Sequence, residues 1–258
     1  MRILVPACQT CKERNIITSD SSYQWVSIVE GGVYEYECLN GHSTILNHQA
    51  HKFQVLFEIA CQAIVDGYYR DAIASFSSSL ERFYEFYVEA ILIKNELYDS
   101  NIAQIKKMNS NSSEREYGAF SLVYLLEERS VPHDVERMKT KDLDNKEFKS
   151  FRNNVIHKGH IPSRINAMCF GQIVLDFIIP VLLSISKKEY AQDTLHNTMF
   201  SKNAQKLWKV VEERKRVKKY DNISGGSLPM LLGPVPHELE EKKKLSDYIS
   251  YLYVQRTS

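Results

Sequence analysis

No stretch of this chain offers the roughly 20 uninterrupted apolar residues that a membrane-spanning helix requires. The most apolar run, 173–185, is broken by Asp176 and Pro180, and residues 1–10 carry too short an apolar run for a secretory signal. An excess of one charge is also lacking: 33 Lys and Arg stand against 32 Asp and Glu, so no global field draws the chain to nucleic acid and any such contact must rely on local patches. Five cysteines among 258 residues do not make a disulfide framework. Three of them, Cys8, Cys11 and Cys38, cluster near the start beside His42, which suits metal binding in a reducing compartment. There is no internal repeat, and Gly225-Gly226-Ser227 lacks the Lys-Ser/Thr that would make it a phosphate-binding loop. These absences predict a soluble, cytoplasmic protein with no membrane partner, long enough for one good core and a small satellite module.

The satellite is expected at 1–46. Runs 23–30 and 33–37 are rich in aromatic and β-branched residues and flank Gly31-Gly32, which reads as a hairpin. Cys8 and Cys11 form one knuckle before it; Cys38 and His42, in Cys38-Leu39-Asn40-Gly41-His42, form a second after it. Four soft ligands around a hairpin match a zinc ribbon, with the metal structural because all four positions are filled by protein. His42 stands four rather than three positions after its cysteine, so His48 or His51 could take its place.

From about residue 47 to 220 the pattern is helical, and the fold class expected is mainly α. Phe53, Phe57, Ala60 and Ile64 share one face of a first helix that Gly67 ends; Ile73, Phe76, Leu80, Phe83, Tyr87 and Ala90 form the seam of a second, over 69–97. A Ser/Asn loop at 109–113 precedes a third helix over 117–128, and the polar stretch 129–144 could be mobile. A long apolar helix over 164–185 reads as the central core element, kinked at Pro180. Cys61 and Cys169 read as inert core thiols. The helix over 203–219 ends in Arg214, Lys215, Arg216, Lys218 and Lys219, which suit either an RNA phosphate backbone or simply the negative end of a helix dipole. Residues 221–258 read as a linker, with Pro229, Pro234 and Pro236, followed by a short helix over 238–253.

The most pointed stretch is 151–160. Gly159 and Pro162 supply stop signals beyond a helix end, so His157 falls in the last turn. Phe148, Phe151 and Val155 share the core face, Asn153 and His157 point roughly the opposite way, and Arg152 lies at the margin. The run Arg152-Asn153-Asn154-Val155-Ile156-His157 resembles the Arg, four to six residues, His signature of the HEPN (higher eukaryotes and prokaryotes nucleotide-binding) domain family, with Asn153 filling a preferred amide position. The stretch from Asp66 to Glu85 resembles the helical hairpin that precedes this motif in bacterial members. Gly159 departs from the Tyr that some toxin members carry two positions after the histidine.

The resemblance implies a HEPN-like helical bundle acting as a homodimeric endoribonuclease whose chemistry needs no cofactor, in prokaryotic defence or toxin-type growth control, with a regulatory or antitoxin partner. It implies Arg152, Asn153 and His157 as catalytic residues, with Glu81 and His160 as weaker additions. The other class of reading is a non-catalytic nucleotide- or RNA-binding or dimerisation module with the zinc ribbon as its recognition arm. Arg152 and His157 could equally be an ion-paired surface arginine and a helix-end histidine without chemistry.

Overall fold

The computed structural model describes residues 2–6, 8–14, 23–48, 50–97, 99–109, 112–188, 201–226, 230–232 and 244–257. The molecule is mainly helical with a small three-stranded sheet. Its chain divides into two compact units, Met1–Ala50 with His196–Pro234, and His51–Leu195 with Val235–Ser258.

In the first unit β1 (Arg2–Pro6) pairs antiparallel with β2 (Tyr23–Ser27), and β3 (Val33–Glu37) pairs antiparallel with β4 (Ser43–His48). The expected hairpin between 23–30 and 33–37 is therefore not formed. Gly31 and Gly32 do take the positive φ of a turn, +97° and +68°, but β2 is claimed by the N-terminal strand and β3 by the strand that follows it. The hairpin lies one element later, and its turn is the second knuckle. A further strand, β5 (Asn222–Gly226), lies parallel to β4, with Thr44 opposite Asn222 and His48 opposite Gly226. Residues 222–226, expected as linker, are thus an edge strand; Pro229, Pro234 and Pro236 lie outside the described residues.

The sheet explains why β4 is buried on both faces. Alternation sends Ile45 to one side, where it packs with Val33, Leu207 and Val211, and Leu46 to the other, where it meets Val5, Tyr34 and Met230. Leu207 and Val211 come from α8 (Ser201–Lys215), so this helix, expected within the helical stretch 47–220, belongs to the sheet unit instead. Between β1 and β2 runs the short helix α1 (Gln9–Glu13).

The second unit is the helical bundle. It contains α2 (Lys52–Val65), α3 (Tyr69–Lys94), α4 (Asp99–Asn109), α5 (Ser113–Glu128), α6 (Phe148–His157), α7 (Arg164–Ser186) and α9 (Leu245–Thr257). The α3 seam packs against α2, α5 and α7, and aromatic side chains fill the space between them: Phe83 meets Phe53 at 5.3 Å and Phe177 at 6.3 Å, both edge-on. Gly67, at φ +80°, makes the α2–α3 turn as its position predicts. The stretch 129–144, expected to be mobile, is pinned by two short 3-10 turns, Val135–Arg137 and Lys141–Leu143, whose Val135 and Leu143 are fully buried.

Among the described residues α7 is the one helix long and apolar enough to cross a bilayer, and over half of its apolar window is buried inside the protein. Asp176 and Pro180 do not interrupt it; both face outward from a continuous helix. Ser163 and Asn166 cap its start reciprocally, Ser163 Oγ accepting from Asn166 N at 3.2 Å and Asn166 Oδ1 accepting from Ser163 N at 2.7 Å. The C-terminal helix α9 docks on α2 and α7, where the Tyr248 hydroxyl donates to buried Glu58 at 2.7 Å.

Gly171 on α7 leaves no room for a side chain: a Cβ there would stand 2.5 Å from the Phe76 ring of α3 and 2.6 Å from Leu245 of α9. Gly171→Ala should cost about 1–3 kcal/mol by overpacking, read as a lowered midpoint in chemical denaturation. A second prediction concerns pH. Glu116 on α5 is buried, and burial, partly offset by Arg82 at 2.6 Å, pushes its carboxyl up to about 7 from an ordinary 4.5. The folded chain then holds this proton where the unfolded chain has released it, so stability falls as pH rises through that window. Glu116→Gln, which keeps a hydrogen-bonding side chain without the titration, should flatten the fall in melting temperature between pH 5 and pH 8.

Candidate functional site

In the first unit, Cys8, Cys11, Cys38 and His42 bring one ligand atom each within 4.8 Å of one another. Local structure sets each pair. Cys8 caps α1 and Cys11 sits one turn on, with Lys12 N donating to Cys8 O at 3.1 Å. Cys38 and His42 face each other across the β3–β4 turn: Cys38 N donates to His42 O at 3.0 Å and Gly41 N to Cys38 O at 2.9 Å, with Gly41 at φ +78°. The four-residue spacing that looked irregular in the sequence is the spacing of this turn, and Leu39 at its tip is 96% exposed.

The distances suit a tetrahedral ion. Cys11 Sγ lies 3.7 Å from Cys38 Sγ, and His42 Nδ1 lies 3.2 Å from Cys11 Sγ and 3.5 Å from Cys38 Sγ. An ion bound at about 2.3 Å to sulfur and about 2.0 Å to nitrogen has S–S edges of about 3.8 Å and S–N edges of about 3.5 Å. The chain can therefore hold a metal ion here through three cysteines and a histidine. His48 and His51, weighed as replacements for His42, are not in the cluster; burial pushes both imidazoles down to about 4. Two amides that sequence reasoning missed also reach the sulfurs: Asn40 Nδ2 donates to Cys11 Sγ at 3.3 Å and Asn222 Nδ2 to Cys8 Sγ at 3.1 Å. Burial opposes the Cys8 thiolate, but the hydrogen bonds from Cys11, Cys38 and Asn222 outweigh it and its pKa lies below the ordinary value.

In the second unit, α6 presents the other candidate residues. Phe148, Phe151 and Val155 are fully buried, Phe148 stacking on Phe170 at 4.0 Å, and Arg70 Nη2 donates to Ile156 O at 3.3 Å near the helix end. Arg152 points inward from the margin. Its side chain is 11% exposed, with Nη1 3.5 Å from Glu81 Oε1 and Nε donating to Asn153 Oδ1 at 3.3 Å. It lines a cavity of about 80 Å³ with Glu81, Tyr84, Tyr117, Glu136 and Lys149. Burial raises the Glu81 and Glu136 carboxyls, with Arg152 pulling both back down.

Comparison with protein-family models, characterised proteins and solved structures finds no match. Arg152, Asn153 and Glu81 are brought together, while His157 stands exposed in the last turn of α6. His160, a weaker catalytic candidate, is half-buried, edge-on to Phe151 at 5.5 Å and with Nε2 3.4 Å from Asp144 Oδ2. In the basic run Arg214 is engaged by Glu35 at 2.6 Å and Lys215 by Glu212 at 3.0 Å, Lys218 lies 5.3 Å from the Tyr220 ring centre, and Arg216 and Lys219 are exposed. Cys61 is fully buried and Cys169 half-buried, and burial raises both thiols.

Cys11→Ser removes one of four ligands. It should abolish thiolate-to-cobalt absorption in a Co²⁺ titration and strip hydrogen-exchange protection from β3 and β4, while the aromatic core of the bundle keeps its protection.

Proposed function

We propose that the chain is a HEPN-type endoribonuclease that acts as a homodimer, with a zinc-ribbon-like module whose zinc, held by Cys8, Cys11, Cys38 and His42, is structural. The observation that carries the reading is the arrangement on α6: Arg152 and Asn153 joined by a 3.3 Å hydrogen bond, and His157 exposed in the last turn of the same helix. One chain supplies half a site, and a second copy would bring the other half across a two-fold axis. RNA carries its nucleophile in the 2′-hydroxyl, so the protein has to remove that proton, stabilise charge on the phosphate and protonate the leaving 5′-oxygen. His157 supplies the imidazole that exchanges these protons. Arg152 offers a planar donor fork to the phosphate oxygens, and Asn153 orients it. Arg216, Lys218 and Lys219 give the RNA backbone an electrostatic hold. A role in prokaryotic defence or growth control, in the cytoplasm and under a regulatory partner, accords with such an activity.

One observation favours a second reading, a non-catalytic RNA-binding or dimerisation module: Arg152 is 11% exposed and already paired with Glu81 of its own chain. Cleavage of a mixed-sequence RNA by full-length protein distinguishes the two. The nuclease reading expects His157→Ala to lower the rate about 10²- to 10⁴-fold, with light scattering unchanged at a dimer mass and excess chelator leaving the rate intact wherever the fold survives. Wild-type cleavage no faster than that of the variant would leave the module reading.

A further inference from the structure

Asn222 is 212 residues from Thr10, yet its side chain is the hub of the contacts around the metal ligands. Its Oδ1 accepts from Thr10 N at 3.0 Å and from Thr10 Oγ1 at 2.8 Å; its Nδ2 donates to Cys8 Sγ at 3.1 Å and to Thr44 Oγ1 at 3.3 Å. One amide therefore touches the first knuckle, the central strand and a ligand sulfur at once, and it is itself 8% exposed. The residues before it are tied to the same sheet. Asp221 Oδ2 accepts from Ser43 N at 2.8 Å, next to His42; Glu35 on β3 receives Arg214 at 2.6 Å and the Tyr220 hydroxyl at 2.7 Å. Arg214 opens the basic run at the end of α8.

We propose that Asn222 is a positioning residue of the metal centre, and that metal occupancy clasps the segment from α8 through β5 onto the N-terminal strands. The physical basis is reciprocal. The Asn222 N–H fixes the Cys8 sulfur in a ligating position and takes up part of its charge, as outer hydrogen bonds to metal ligands do. Ligation of a metal by Cys8 would in turn hold the acceptor against which Asn222 docks. Two events that favour each other share one coupling free energy, so metal binding must strengthen β5 docking by the factor by which β5 docking strengthens metal binding. The basic residues Arg214 to Lys219 are then held in place when the metal is bound and released with β5 when it is lost.

The inference rests on metal binding at the four-ligand cluster, and a Co²⁺ titration of wild-type full-length protein tests that first: absence of a tetrahedral thiolate spectrum would defeat the metal site itself. Given that spectrum, competition with a chromophoric chelator should show Asn222→Ala binding Co²⁺ and Zn²⁺ about 10- to 100-fold more weakly, with a shifted sulfur-to-cobalt band. Hydrogen exchange should show residues 222–226 protected in wild type with zinc and deprotected after chelation, and unprotected in the variant either way. Asn222→Asp keeps the acceptor for Thr10 but has no N–H for Cys8, and should lose affinity as Asn222→Ala does. It serves as the readout should the alanine variant fail to fold. Wild-type affinity in Asn222→Asp would overturn the sulfur contact, and β5 protection that ignores chelation would overturn the clasp.

Discussion

The four soft donors of Cys8, Cys11, Cys38 and His42, all within 4.8 Å, are the constraint on which the first unit depends. Among the described residues its buried apolar clusters are small: Val5, Tyr34, Leu46 and Met230 on one face of the sheet, Val33, Ile45, Leu207 and Val211 on the other. Burial of this size scarcely offsets the entropy of ordering strands drawn from both ends of the chain. The S–S and S–N separations near 3.7 and 3.2–3.5 Å would bring unmetallated thiols and imidazole together with little to hold them. A bound ion would convert that crowding into attraction, and its binding free energy would then be folding free energy.

The bundle is held by other means. Its α3 seam buries Ile73, Phe76, Leu80, Phe83 and Tyr87 almost completely, enough apolar area to order helices without a metal. This packing also fixes what α6 can offer. With Phe148, Phe151 and Val155 committed to the core, helical geometry leaves Arg152 at the margin and His157 outside. The arginine turns inward because Glu81 and Glu136, carboxylates raised by burial, need a cation nearby.

Local pattern made much of this legible. Helix periodicity places α2, α3, α6 and α7, and the stop signals at Gly67 and Gly159 mark real left-handed residues at φ +80° and +72°. Two cysteine knuckles pointed to ligands that the fold does gather. What stayed hidden was pairing. Gly31-Gly32 read as a hairpin turn because a two-residue window cannot see that β1, over 20 residues earlier, competes for β2. β5 read as linker because Asn222–Gly226 has little β-branched character; its strand state comes from lying along β4, a contact of high sequence separation. α4 went unseen because its apolar positions are sparse, Ile102 being the one buried residue among those whose burial is described.

Asn222 shows why such a residue escapes any local reading. It is neither cysteine nor histidine, and it follows a run of lysines that draws attention to charge. Its importance is set by what a parallel strand opposite Thr44 places beside it. The amide bonds four polar groups, Thr10 N, Thr10 Oγ1, Thr44 Oγ1 and the ligand sulfur of Cys8. A ligand cluster built from two local knuckles is thereby contacted by a side chain from β5. If Asn222 positions Cys8 as we propose, metal binding and the docking of the basic segment become parts of one equilibrium, because both need the same side chain in the same place.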